Sequence, residues 1–340
     1  MTYHPPLRLH LDLAALTHNW QALDRLAGPA ACGAAVKADG YGLGAAAVAA
    51  PLAAAGCRDF FVATWGEAAA LAPLGLTVSV LHGVRAEDMT LALAGIARPV
   101  LCTDTQVARW RAAGGGACDV MVDTGMNRLG VSAAAVRDGL LDGLAIETLM
   151  SHLAAADEKS PMNERQRAAF AALAGRTEAR RLSLANSAGI ALGAGYAFDL
   201  VRPGLALYGG VPRAEFAATI RQVATPEAQI LQRRTVRRGA TVGYNATWTA
   251  PRDTAVAILN IGYADGYFRG FSDRGSAARG TCAVIGRVSM DLVAIDVDAA
   301  PDLAEGDWIA LDYALPAAAR ASGMSQYELL TGLGTRFARR

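Results

Sequence analysis

"AAVKADGYGLGA", residues 34–45, sets a lone lysine, Lys37, between a short apolar run and a turn rich in glycine. A lysine that ends a buried strand is an unusual choice, because an ammonium taken out of water must be paired, neutralised or converted to something else. Either Lys37 is a salt-bridged residue at a strand edge or it is kept for chemistry. The flanking sequence shows what kind of strand it ends. "ACGAAVKA" is the first of a series that continues with "DFFVAT", "TVSVLHG", "RPVLCT", "CDVMVDT", "AIETLMSHL", "RRLSLANS" and "LVRPGLALYG". Helix-like stretches such as "AEDMTLALAG", "DTQVARWRAAG" and "NERQRAAFAALAG" fall between them. Apolar runs alternating with helical patterns build a parallel sheet, and about eight such units close a (β/α)8 barrel. A doubly wound open sheet is the competing architecture, but no GxGxxG turn follows the first strand.

Near Thr225 the texture changes. Helical periodicity gives way to β-branched runs and glycine turns in "AVAILNIGYADGY", "TCAVIGRVSMDLVAIDV" and "GDWIALDY", with one helix expected at "SQYELLTGLG". The expected layout is a barrel over residues 8–224 and a mainly β domain over 225–340, with residues 1–7 packing against the latter.

At 340 residues and 53% hydrophobic content the chain can bury a large core. Its 32 basic and 31 acidic residues nearly cancel and form no long basic run, which argues against nucleic acid and for a small-molecule partner. The five cysteines (Cys32, Cys57, Cys102, Cys118, Cys282) are scattered without zinc or redox spacing and read as reduced packing residues. His4, His10, His18 and His82 have no ligand spacing, so no metal is expected. The first residues lack the apolar core of a signal peptide and no segment is apolar enough to span a bilayer, so a cytoplasmic protein is expected. "GGGA" at 114–117 reads as a loop and "RRTVRRG" at 233–239 as a solvated strand and turn.

Barrel enzymes keep their chemistry at the C-terminal ends of the strands. Lys37 falls there, as do Arg128 after "VMVDTGMN", His152 in "LMSHLA", Asn186 and Ser187 in "LANSAG", and Arg202 in "LVRPG". Each alone has an ordinary structural reading. Their convergence on one rim points to a functional site.

The stretches "AVKADGYGLGA", "VDTGMNRLG", "SHLAAADE", "FDLVRPGLALYGG", "TVGYNATW", "IGYADGY", "IGRVSMD" and "SQYELL", in this order, resemble the landmarks of the fold-type III, pyridoxal phosphate (PLP) dependent alanine racemases. The likeness covers essentially the whole chain. It implies that Lys37 carries PLP through an imine and serves as one of two bases. By the same likeness Tyr41, Ser187, the backbone at Gly204 and Leu205, and Tyr327 bind the cofactor phosphate. Asn186 joins the cofactor set, Arg202 faces the pyridine nitrogen, and His152 lies beside the ring. A guanidinium there cannot accept a proton, so the ring is a weaker electron sink and prompt reprotonation is favoured. Tyr244 is implied as the second base, opposite Lys37 and lowered from its reference pKa of about 10 by cations such as the His152 and Arg202 chain. Arg128, the Met290 backbone and Asp291 are implied at the substrate carboxylate. The resemblance also implies a head-to-tail homodimer in which Tyr244, Met290 and Asp291 complete the partner's site.

The activity implied is interconversion of L- and D-alanine, an isomerase reaction supplying D-alanine for the cell wall or degrading it. A broader-specificity racemase, a basic-amino-acid decarboxylase and a non-catalytic PLP-binding barrel share the scaffold. "GYNATW" with Tyr244 argues against the decarboxylase and the β domain against the carrier. One departure stands out: many relatives hold a carbamylated lysine seven residues before the "GMNRLG" arginine, where this chain has Met121. If Arg128 faces the barrel interior, a bound anion or a polar neighbour is expected to compensate its charge.

Overall fold

The computed structural model describes residues 4–339. Eight parallel strand positions run in sequence: Ala31–Cys32 with Ala34–Ala35, Phe60–Val62, Val78–Val80, Arg98–Leu101, Cys118–Asp123, Ile146–Met150, Arg181–Ser183 and Leu200–Val201. Their residues are almost wholly buried, as continuous apolar runs covered on both faces must be. Neighbours pair in register, for example Phe60↔Val78, Val100↔Asp119 and Leu182↔Leu149. The sheet closes into a barrel because the first strand bonds to the last: the Ala31, Gly33 and Ala35 N–H groups donate to the carbonyls of Asp199, Val201 and Pro203 at 2.8–2.9 Å. On its other side the last strand donates through Asp199 to Leu182 and through Arg202 to Ala185.

Helices return the chain between strands and start at side-chain caps. Thr64 caps Trp65–Leu71 with Glu67 in a capping box, Thr103 caps Asp104–Ala112, and Ser160 followed by Pro161 opens Pro161–Ala171.

The described chain divides into two units, 16–207 with Val211–Arg221, and 4–15 with Tyr208–Gly210 and 222–339. The second unit is built on an antiparallel sheet around the long strand Ala224–Val236, which pairs with Leu7–Leu11, Thr254–Leu259 and Trp308–Ala310. Val293–Asp296 and Cys282–Ile285 extend it. The expected break at Thr225 thus falls one residue into that strand.

Sequence reasoning starts the barrel at residue 8, whereas Leu7–Leu11 is wholly a strand of this second sheet. Its alternation explains the placement: Leu7 and Leu9 are buried, and the Arg8 guanidinium lies 3.5 Å over the Trp308 ring. Two helices stand where one was expected. Gln326–Thr331 is capped by Ser325, and the alanine-rich Leu315–Ser322 precedes it. Beneath them Tyr267 stacks on Phe271 with centroids 4.3 Å apart. Among the described residues no helix is long and apolar enough to cross a membrane, and no cluster of residues could hold a metal ion.

Candidate active site

Lys37 leaves the first barrel strand directly after the buried Val36. The chain then makes a left-handed turn: Ala38 (φ 53°, ψ 48°), Asp39 (φ 53°, ψ 51°), Gly40 (φ 64°, ψ 41°) and Tyr41 (φ 57°). Only glycine adopts this conformation freely, and each L-residue held there costs roughly 1–2 kcal/mol. Hydrogen bonds offset the strain. The Gly40 N–H donates to Val36 O, Gly42 to Ala38 O and Gly44 to Asp39 O, each at 2.8 Å. Asp39 Oδ1 accepts from Ala45 N–H and Glu67 Oε1 from Ala38 N–H, both at 2.8 Å.

The turn delivers the buried Tyr41 side chain to Gly204, where a Cβ would collide with the Tyr41 hydroxyl. Ser187 Oγ accepts from the N–H groups of Gly204 (2.9 Å) and Ala206 (3.2 Å), and Asn186 caps the short helix Ser187–Ile190 through Gly189 N–H. Leu205 is buried beside them. Two hydroxyls and backbone N–H groups therefore meet around a residue that has no side chain. That donor set suits a phosphate monoester.

Arg202 is buried, donates to Ser183 Oγ and to Ser151 O, and lies 6.0 Å from the Phe61 ring centroid. Burial draws its pKa down to about 10, against the opposing pull of Asp119, so it stays a cation at neutral pH. His152 is pushed down to about 3 by burial and by Arg202, Arg128 and Lys37, and is therefore neutral. The Lys37 ammonium is destabilised by burial, then by Arg128, with Glu67 opposing and Arg202 adding to the effect. A lysine made easier to deprotonate is suited to condensing with an aldehyde.

Arg128 stands on the exposed 124–130 turn, and among the described residues it makes no hydrogen bond or salt bridge. In this chain Arg128 is exposed and Met121 is buried, so the arginine is not in the interior position from which a compensating anion was expected.

In the second unit Tyr244 projects from a turn with positive φ at Gly243, Asn245 and Ala246, and is 65% exposed. With Asn245, Tyr263, Arg269, Arg287 and Met290 it lines an opening of about 270 Å³. The cations in that lining are Arg269, which lies over the Tyr263 ring, and Arg287. Asp291 is held by Arg336 Nη1 at 2.8 Å, while the same guanidinium grips Asp265. Tyr327 lies half exposed on Gln326–Thr331.

Sequence reasoning missed Arg269, Arg287, Glu67 and Gln166. The buried Gln166 amide donates to His152 O and accepts from Ala154 N–H, both at 2.9 Å, fixing the loop that carries His152. The Thr64-to-Glu67 spacing is a capping-box signal that marks Glu67; nothing in the sequence marks Gln166.

A barrel with a rim lysine of weakened basicity beside a neutral phosphate cradle defines a PLP-dependent enzyme. Residues 11–212 match the alanine racemase N-terminal domain and residues 223–340 the alanine racemase C-terminal domain. The chain belongs to the alanine racemase family. It is 44% identical over 354 residues to an alanine racemase of Acidiphilium cryptum, covering 99% of this chain and 98% of that protein. It is 40% identical to a biosynthetic alanine racemase of Agrobacterium fabrum, over 98% and 93% of the two. The crystal structure of the Bartonella henselae alanine racemase, which holds covalently bound PLP, superposes with a TM-score of 0.90 at 31% identity over 99% of each chain.

Proposed function

We propose that this enzyme interconverts L- and D-alanine with Lys37 and Tyr244 as opposed bases. The observation that carries the reading is the half-buried Lys37, with Arg128 and Arg202 acting on its charge, at the start of a left-handed turn that leads to the Tyr41, Ser187 and Gly204 cradle. PLP, when bound, supplies the electron-withdrawing ring that weakens the substrate Cα–H bond. Lys37 anchors it, and Tyr41, Ser187, the Gly204 and Leu205 backbone and Tyr327 hold its phosphate. Asn186 and His152 flank it, and Arg202 presents a donor that keeps its proton at neutral pH. Arg128, the Met290 backbone and Asp291 hold the substrate carboxylate.

Racemisation removes a proton on one face and returns one on the other. Lys37 Nζ serves the first face and Tyr244 Oη the second, with Arg287 and Arg269 as the cations beside the phenol in its own unit. Tyr244, Met290 and Asp291 come from the partner subunit of a head-to-tail homodimer in the cytoplasm. The product supplies D-alanine to the cell wall, a role supported by the biosynthetic relative.

Tyr244→Phe tests the assignment. Racemisation falls by about 10²–10⁴-fold while borohydride still labels Lys37. Solvent deuterium continues to enter D-alanine better than L-alanine, the D face being the lysine's. Equal loss of exchange from both enantiomers overturns the two-base reading.

A further inference from the structure

Glu67 belongs to the helix after the second barrel strand, yet its carboxylate reaches the turn after the first. Oε2 accepts from Ala63 N–H at 2.6 Å and Thr64 N–H at 3.3 Å, while Oε1 accepts from Ala38 N–H at 2.8 Å. Ala38 immediately follows Lys37 and begins the left-handed turn. A helix cap needs only the contact to Thr64. The second oxygen is free for another task, and it ties two neighbouring barrel strands together at the residue after the cofactor lysine. Five charged or titratable groups, following five different barrel strands, meet at this corner. Arg128, Arg202 and Lys37 are basic, His152 is neutral, and Glu67 is the carboxylate that faces Lys37.

We infer that Glu67 is a positioning residue for Lys37, holding the left-handed turn in place and setting the charge balance at the lysine. The inference rests on the reading of Lys37 as the PLP-bearing residue. A carboxylate fits the place better than an amide does. All three of its partners are N–H donors, and a glutamine must turn its NH₂ towards either the Ala38 side or the Ala63 side, losing acceptance there. The negative charge also favours the protonated state of the nitrogen at Lys37, against burial and two arginines.

The test uses full-length holoenzyme as wild type, Glu67→Gln, Glu67→Asp and Thr64→Ala. Two quantities are read: the pH midpoint of the violet absorption of Lys37-bound PLP, and the PLP dissociation constant from dialysis. In Glu67→Gln the midpoint moves to lower pH, because a stabilising negative charge is gone, and PLP binds about tenfold more weakly for want of one charge-assisted hydrogen bond. Glu67→Asp keeps the charge on a shorter stem, so it restores the midpoint but not the affinity. Thr64→Ala weakens the helix cap, whose Oγ1 accepts from Glu67 N–H at 3.3 Å, and lowers the melting temperature while leaving both cofactor readouts in place. A Glu67→Gln protein with wild-type midpoint and affinity, or a Thr64→Ala protein displaced as far as Glu67→Gln, overturns the inference. Borohydride label on a residue other than Lys37 in wild type overturns the underlying reading instead.

Discussion

The two ends of the barrel carry the same residue types under opposite rules. At the N-terminal end Arg181 grips Asp59 with two bonds of 2.7 and 2.9 Å, Arg98 lies 3.5 Å from Asp119, and Ser79 Oγ donates to Asp119 at 2.5 Å. Charges there are matched within the protein. At the C-terminal end Lys37, Arg128 and Arg202 stand together, facing Glu67. The lower end stabilises the fold through paired charges, although burial still lifts the Asp119 carboxyl above its ordinary range despite Arg98 and Ser79. The upper end sets two arginines and a lysine against the single carboxylate of Glu67, so its charges are not matched within the protein. A site of this kind forgoes stability to gain binding.

The largest expected effect separates the ends outright. On the proposed assignment Lys37→Ala removes anchor and base, so racemisation is expected to fall by at least about 10⁴-fold. The same change deletes one of several like charges, so the melting temperature holds or rises. A sharp drop in melting temperature would place Lys37 among the structural residues and erase the contrast. At the other end Arg181→Met leaves the buried Asp59 carboxylate with only Arg98, 3.9 Å away, and is expected to cost about 3 kcal/mol in urea unfolding, with kcat of the folded protein within about twofold of wild type. Lost activity at unchanged stability would show that the lower end also serves the reaction.

A third effect is smaller and depends on pH. The folded His152 ring takes its proton only near pH 3, against an ordinary value of 6.5. The unfolded chain therefore binds that proton first, and the contribution is lost as pH falls from 6.5 towards 3. His152 as a residue is only partly buried, so the penalty at pH 5 is on the order of 1 kcal/mol. His152→Gln should lose less stability than wild type between pH 7 and pH 5 by about that amount in parallel denaturant titrations. Identical slopes would mean that neither burial nor the neighbouring cations hold the ring's pKa down.

The barrel strands are legible because a strand covered on both faces must be apolar along its length, and "DFFVAT" or "CDVMVDT" fits little else. Leu7–Leu11 is harder to place: it alternates legibly, but its partners lie beyond residue 223, and pairing over that separation leaves no local trace. Lys37, His152 and Arg202 declare themselves as polar residues ending apolar runs. Tyr244 does not, since an exposed tyrosine in a glycine turn is ordinary, and its role comes only through the family likeness. Arg336, which holds both Asp265 and Asp291, lies tens of residues from either and is likewise silent in the sequence. Nor do alanine and aspartate at 38 and 39 announce a left-handed turn; only Gly40 favours one.

That turn has a stereochemical consequence for the chain itself. Its backbone angles are those in which a D-residue rests at its own minimum, so Ala38 holds the posture of its mirror image. Ala38 is exposed, leaving room for its methyl group on the other side of the α-carbon. A semisynthetic chain with D-alanine at position 38 should keep the same backbone and gain roughly 1–2 kcal/mol of stability. Ala38→Gly would relieve the same strain, but a glycine is equally free to leave the turn, and the lysine before it would be held less firmly.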